Sequence, residues 1–115
     1  MAIIPCDLDE LGVHLRSNKF PVNRKAVPLC TSVLDYFPDA LIEVAKVSVE
    51  GNKQHNPGEP LHWAKEKSTD HADCIMRHLV DRGRFDSDGT RHSAKLAWRA
   101  LALLQIEIEQ ERRKK

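Results

Sequence analysis

The 115-residue chain is poor in most of the features that point to a function directly. Its three cysteines, Cys6, Cys30 and Cys74, are odd in number and none are spaced as Cys-x-x-Cys. That argues against a disulfide framework or a zinc ribbon and fits a reducing compartment. Net charge is almost absent: 18 basic against 17 acidic residues leave +1, too little for a global field toward DNA or an anionic membrane. A net count does not exclude local basic clusters. No apolar run approaches the ~20 residues of a membrane span. The opening MAIIPCDLDE is too short in its apolar part, and lacks the leading positive charge, for a signal peptide. There is no internal repeat and no low-complexity tract. What remains is a soluble cytoplasmic chain, long enough for one domain with a modest core.

The pattern that is present is helical. Residues 1–37 read as an irregular arm, punctuated by Pro5, Gly12, Pro21 and Pro28, with a short helix or turn around LCTSVLDYF. From Pro38 to Lys115 a helical core with a charged tail is expected. The first helix starts with Pro38 in its first turn and stops at Gly51. A loop carrying Pro57, Gly58 and Pro60 follows. The second helix spans 68–82, with Ser68 as N-cap and Gly83 as terminator. RGRFDSDGTR reads as a turn. The third helix runs from about Thr90 into EQERRKK, where it frays. Three helices, short connections and no clear strand predict an all-α small helical bundle.

At about 100° per residue each helix acquires a polar stripe. On the first, Asp39, Glu43, Lys46 and Glu50 share a face, and nearly every other position is Ala, Leu, Ile or Val. That helix is too apolar for an open surface, which predicts a homo-oligomer. On the second, Ala72, Ile75, Met76 and Leu79 form an apolar arc expected to face the core. Asp70, Asp73 and Arg77 lie opposite, with His71, Cys74 and His78 along the border. His71, Cys74 and His78 do not make a zinc triad on one helix. Positions seven apart are separated by roughly 10 Å, too far for one ion with ~2 Å bonds. An HD-type phosphohydrolase is not indicated either, because the dipeptide is Asp70-His71 and no His-Asp pair occurs. Asp70 and Asp73, three apart, can offer two hard oxygens to Mg²⁺. They can equally serve the helix dipole or an Asp73–Arg77 pair. On the third helix His92, Lys95 and Arg99 align, with Arg91 nearby, a row suited to polyphosphate or simply to solvent.

These segments, in this order, resemble a phage-associated family known as the dATP/dGTP diphosphohydrolase N-terminal domain. That family is usually placed near the all-α, MazG-like nucleotide pyrophosphohydrolases. The resemblance covers roughly residues 24–109. It begins in VPLCTSVLDYFPDALIEVAKVSVEGNKQH, continues in DCIMRHL and ends in DSDGTRHSAKLAWRALALLQIE. Glu43, Lys53, Asp73, Arg77, His78, Gly89 and His92 fall on its motif positions. His55 stands where an aromatic residue often follows the family's Gly-x-Lys. Where MazG-like enzymes carry Glu-x-x-Glu, this chain has Glu43 and Lys46, and Asp70-x-x-Asp73 stands for the second carboxylate pair. The resemblance implies helical architecture, oligomerisation and hydrolysis of a (d)NTP to (d)NMP and pyrophosphate with Mg²⁺, in a host cytoplasm if the chain is phage-encoded.

Three readings stay open. In a small nucleotide hydrolase, Glu43, Asp70 and Asp73 hold Mg²⁺. Lys53, Arg77, His92, Lys95 and Arg99 hold the phosphates, and Glu50 or His78 orients the attacking water. In a binding module without turnover, the same cationic cleft sequesters a nucleotide or a nucleotide-derived signal. In a structural domain, all three stripes are solvated.

Overall fold

The computed structural model describes residues 23–114. Expectations for Cys6 and for most of the N-terminal arm lie outside the described residues. The protein is all-α. Its helices are α1 (Pro38–His55), α2 (His71–Val80) and α3 (His92–Arg113). Short 3-10 turns occupy Arg24–Ala26 and Lys65–Lys67, and a single π-helical turn, Cys30–Leu34, forms in the LCTSVLDYF stretch. The described residues contain no strand, only an isolated antiparallel bridge between Phe85 and Arg91. Two compact units result. One is Phe37–Gln105; the other holds the described residues before Phe37 and after Gln105. No helix among the described residues is long and apolar enough to cross a membrane.

Pro38 opens α1 with its fixed φ, Asp39 sits in the first turn, and Lys53 and His55 sit in the last, where each charge meets the favourable end of the dipole. The helix does not stop at Gly51. A lone interior glycine costs only about 1 kcal/mol relative to alanine, and the turn after it continues. The stop comes at Asn56, whose position before Pro57 disfavours helical backbone, followed by Gly58 at φ +80°. Asn56 is buried, donates to Asn52 Oδ1 at 3.0 Å, and accepts from Lys67 Nζ at 3.2 Å.

α2 is shorter than its sequence pattern. Asp70, not Ser68, occupies the N-cap, because the Ser68 hydroxyl is engaged elsewhere: it donates to Asp70 at 3.2 Å and accepts from Arg99 at 2.6 Å. The helix ends at Val80, ahead of the turn that carries Gly83 at φ +87°. α3 runs as regular helix through the charged tail to Arg113.

The largest departure from the sequence pattern is in which faces are covered. On α2 the buried residues are His71 and Cys74, while Met76 of the apolar arc is 58% exposed. On α3 the buried residues are Ala94 and Ala102, and Leu101 and Leu104 lie open. The polar borders of both helices turn inward, held by specific side-chain bonds, and small residues let the backbones approach. The apolar arcs are left outside.

The connection between α2 and α3 is a tight hairpin. Asp86 N donates to Thr90 O at 2.7 Å, Gly89 N to Asp86 O at 3.0 Å, and His92 N to Arg84 O at 3.0 Å. Gly89 closes it at φ +88°, a conformation that L side chains rarely adopt. Two glycine substitutions should therefore act in opposite directions. Gly89→Ala should lower stability by about 1–2 kcal/mol through backbone strain. Gly51→Ala, in mid-helix with nothing within 4 Å of an added Cβ, should raise it by about 0.5–1 kcal/mol. Urea unfolding of the two variants beside the parent checks both signs.

Candidate functional site

A cleft of about 660 Å³ lies within the Phe37–Gln105 unit. α1 lines it with Ser48, Asn52 and His55, the following loop with His62, Trp63 and Lys67, α2 with Cys74, Arg77 and His78, and α3 with Lys95, Trp98 and Arg99. One wall is aromatic. Trp63 and Trp98 meet edge to face at 5.5 Å, and Trp98 Nε1 donates to Ser48 Oγ at 2.7 Å, tying α3 to α1. The lining is also cationic: Lys67, Arg77, Lys95 and Arg99 all reach it, together with the carboxylates of Asp70 and Asp88.

Arg99 is no solvated surface group. Besides Ser68, it donates to His71 Nδ1 at 3.1 Å and lies 3.7 Å from Asp70. Accepting at Nδ1 leaves the proton of neutral His71 on Nε2, and that buried nitrogen has no partner. Burial first, and then the Arg99 charge, hold the His71 pKa below the ordinary imidazole value. Asp70 is held below the usual carboxylate range by its own backbone amide, then by Ser68 and Cys74. Arg77 pairs with Asp70 at 3.5 Å and donates to Cys74 Sγ at 2.9 Å.

The hairpin fastens onto α3 through Lys95. Its ammonium lies 2.6 Å from Asp86 and 2.9 Å from Asp88, and the Lys95 side chain is only 20% exposed. Asp88 also accepts from the Thr90 amide and hydroxyl at 3.0 and 2.7 Å and from Gln54 at 3.3 Å, so the hairpin reaches α1 as well. Beside this pair, His78 Nδ1 and His92 Nδ1 stand 2.9 Å apart. Burial, then the neighbouring His92 and Lys95, hold the His78 pKa below the ordinary imidazole value.

Of the residues expected from the sequence, Asp70, Arg77, His78, Lys95 and Arg99 line the cleft. Glu50 and Lys53 lie in a separate, shallower hollow of about 420 Å³ beside Asp88, Gly89 and Thr90, with 3.9 Å between their charged atoms. Glu43 is taken up by Lys46 at 2.8 Å and Arg91 at 3.5 Å. Asp73 is exposed on α2 and lines neither space. Glu43, Asp70 and Asp73 thus do not converge. Among the described residues, the potential metal donors that do converge are His78, Asp86 and His92. Asp86, Asp88, Trp63 and Lys67 give no signal in helical spacing, because each reaches its place through loop geometry.

The fold and the cleft define a small helical protein with a cationic, aromatic-walled pocket. The family model for the dATP/dGTP diphosphohydrolase N-terminal domain matches residues 19–115, and the chain belongs to that family. Neither a curated protein nor a solved structure matches it.

Asp86 is held below the ordinary carboxylate range first by its bond to Lys95, then by the Ser87 amide. Burial pushes Asp88 up, but its bonds from Lys95 and Thr90 outweigh that and hold it well below the range. A depressed folded-state pKa gives stability that is present above the unfolded value of about 4 and lost as pH falls through the folded one. Melting temperature should therefore decline below about pH 4 in part through these two groups. Lys95→Met should lower stability by about 2–3 kcal/mol near neutrality, less than for a fully buried pair because the site stays partly hydrated. It should also flatten the acid limb, and thermal melts from pH 3 to 7 check both effects.

Proposed function

We propose that the protein binds a deoxynucleoside triphosphate in the Trp63/Trp98 cleft and hydrolyses it to the monophosphate and pyrophosphate. The carrying observation is the cleft itself, where two indoles that can take a base share one lining with four cationic side chains that can take phosphates. The family's name, a dATP/dGTP diphosphohydrolase, supports the same substrate class. Arg77 and Arg99 offer planar donors to phosphate oxygens, and Lys67 and Lys95 add point charges. Their task is to neutralise charge that builds on the leaving pyrophosphate in a partly water-excluded site. In this reading His78, on the cleft wall, takes the role of orienting a water.

The residues present do not fit the carboxylate-held Mg²⁺ that the resemblance implies, since Glu43, Asp70 and Asp73 are apart. In this reading Mg²⁺ comes with the triphosphate, and no protein-held Mg²⁺ is invoked. The same separation favours a second reading, a protein that sequesters nucleotides without turnover. A dNTP panel with Mg²⁺, assayed for monophosphate and pyrophosphate and run beside a binding titration, separates the two. Arg77→Ala should weaken dNTP binding by about tenfold, roughly 1.4 kcal/mol for a lost charged contact. Asp73→Asn should leave binding unchanged. Full affinity in Arg77→Ala would remove the cleft from consideration.

We further propose a homo-oligomer, supported by the open apolar residues Ile42, Met76, Val80, Leu101 and Leu104. Sedimentation at micromolar concentration should give more than one chain per particle; a monomer would count against it.

A further inference from the structure

His78, Asp86 and His92 come from three separate pieces of chain: the end of α2, the hairpin and the first residue of α3. One donor atom from each lies within 4.8 Å of the other two, and all three residues are partly buried. The two imidazoles are tilted by 35° with centroids 5.1 Å apart, so they do not stack in parallel; they converge on their Nδ1 atoms at 2.9 Å. Asp86 Oδ2 is 4.0 Å from His92 Nδ1. Without a metal, two nitrogens so placed can share only one proton. Donor atoms around one first-row ion, with bonds of ~2.1 Å, sit roughly 3–3.4 Å apart. The nitrogens lie close to that spacing, and on the His92 side the carboxylate needs to close by less than ~1 Å.

We propose that His78, Asp86 and His92 form a binding site for a divalent transition metal. Two imidazoles and one carboxylate suit Mn²⁺, Fe²⁺, Co²⁺ or Zn²⁺ and not Mg²⁺, which demands oxygen donors. Lys95 binds the same Asp86 Oδ2 that lies 4.0 Å from His92, so a metal would share that oxygen with the ammonium. Lys95 keeps Asp88 as a second partner, while Asp86 Oδ1 accepts from the Ser87 amide. The aspartate is thereby oriented by two neighbours, the kind of outer support that metal-bound carboxylates have. His78 belongs to the cleft wall, so a metal held here borders the cleft. The site stands on its own geometry and does not depend on the proposed hydrolysis.

The test uses the full chain, free of any affinity tag and dialysed against EDTA, titrated with Co²⁺ and followed by visible absorption. One Co²⁺ should bind per chain and be displaced by equimolar Zn²⁺, and millimolar Mg²⁺ should not compete. His92→Gln and Asp86→Asn should each weaken Co²⁺ at least tenfold, whereas Asp73→Asn should match the parent. Circular dichroism confirms that the variants are folded. Should a variant not fold, the imidazole proton resonances of the parent on adding Zn²⁺ give a second measurement: two histidines should shift together. A parent that takes up no Co²⁺, or one whose Co²⁺ survives both substitutions in folded protein, overturns the proposal. So would a Zn²⁺ titration that shifts no histidine pair.

Discussion

The Lys95 ammonium, shared between Asp86 and Asp88, is the interaction on which the arrangement around the cleft depends. Phe85, the hairpin's large apolar residue, is mostly exposed, and Thr90 is its one buried residue. The hairpin's conformation is therefore set by hydrogen bonds, and its position by two carboxylates that converge on one cation. Asp86 carries the hairpin to the His78–His92 contact, and Asp88 carries it to Gln54 on α1. Because each aspartate also accepts from a nearby backbone amide, the pair is oriented before Lys95 is counted. That explains how a partly hydrated ion pair can fix geometry when isolated surface pairs usually do not.

The inward turn of the polar borders follows from the same logic on α2. Arg99 from α3 meets Ser68, Asp70 and His71 at the start of α2, and His92 meets His78 near its end. Two clusters of directional bonds set the rotation of the helix about its axis, and Ala94 and Ala102 permit the approach. Hydrophobic burial alone would have rotated α2 to hide Met76 and Leu79. Here specific polar contacts win within the chain, and apolar area remains open. Such an arrangement is consistent with a molecule whose interior is organised around a polar cleft.

Helix existence was legible in the sequence because it rests on periodicity, and the start of α1 because Pro38 leaves few alternatives. The ends were less so. Gly51 has the composition of a terminator but no partner change follows it, whereas Asn56-Pro57 combines a capping amide with a backbone restriction. Ser68 has the composition of an N-cap, yet Arg99, thirty-one residues away, takes its hydroxyl. Spacing along the helices puts Arg77, Lys95 and Arg99 on polar stripes and His78 on a border, and in the structure all four line one cleft. Spacing could not show that Asp73 points elsewhere than Asp70, since residues three apart share a face only if the helix continues through both. Asp70 is the cap and lies outside the regular turn. Asp86 and Asp88 were unreadable in principle, because a loop has no period from which to infer a direction.

The chain has two tryptophans, and both stand on the wall of the cleft. One is held by a hydrogen bond to Ser48; the other meets the first edge to face and lies 5.1 Å from the Lys65 ammonium. Indole emission depends strongly on the polarity and hydrogen bonding around the ring. Excited at wavelengths that tyrosine does not absorb, the protein's entire intrinsic fluorescence therefore originates at this one wall. The molecule carries its own optical reporter of cleft occupancy, with no label and no substitution required.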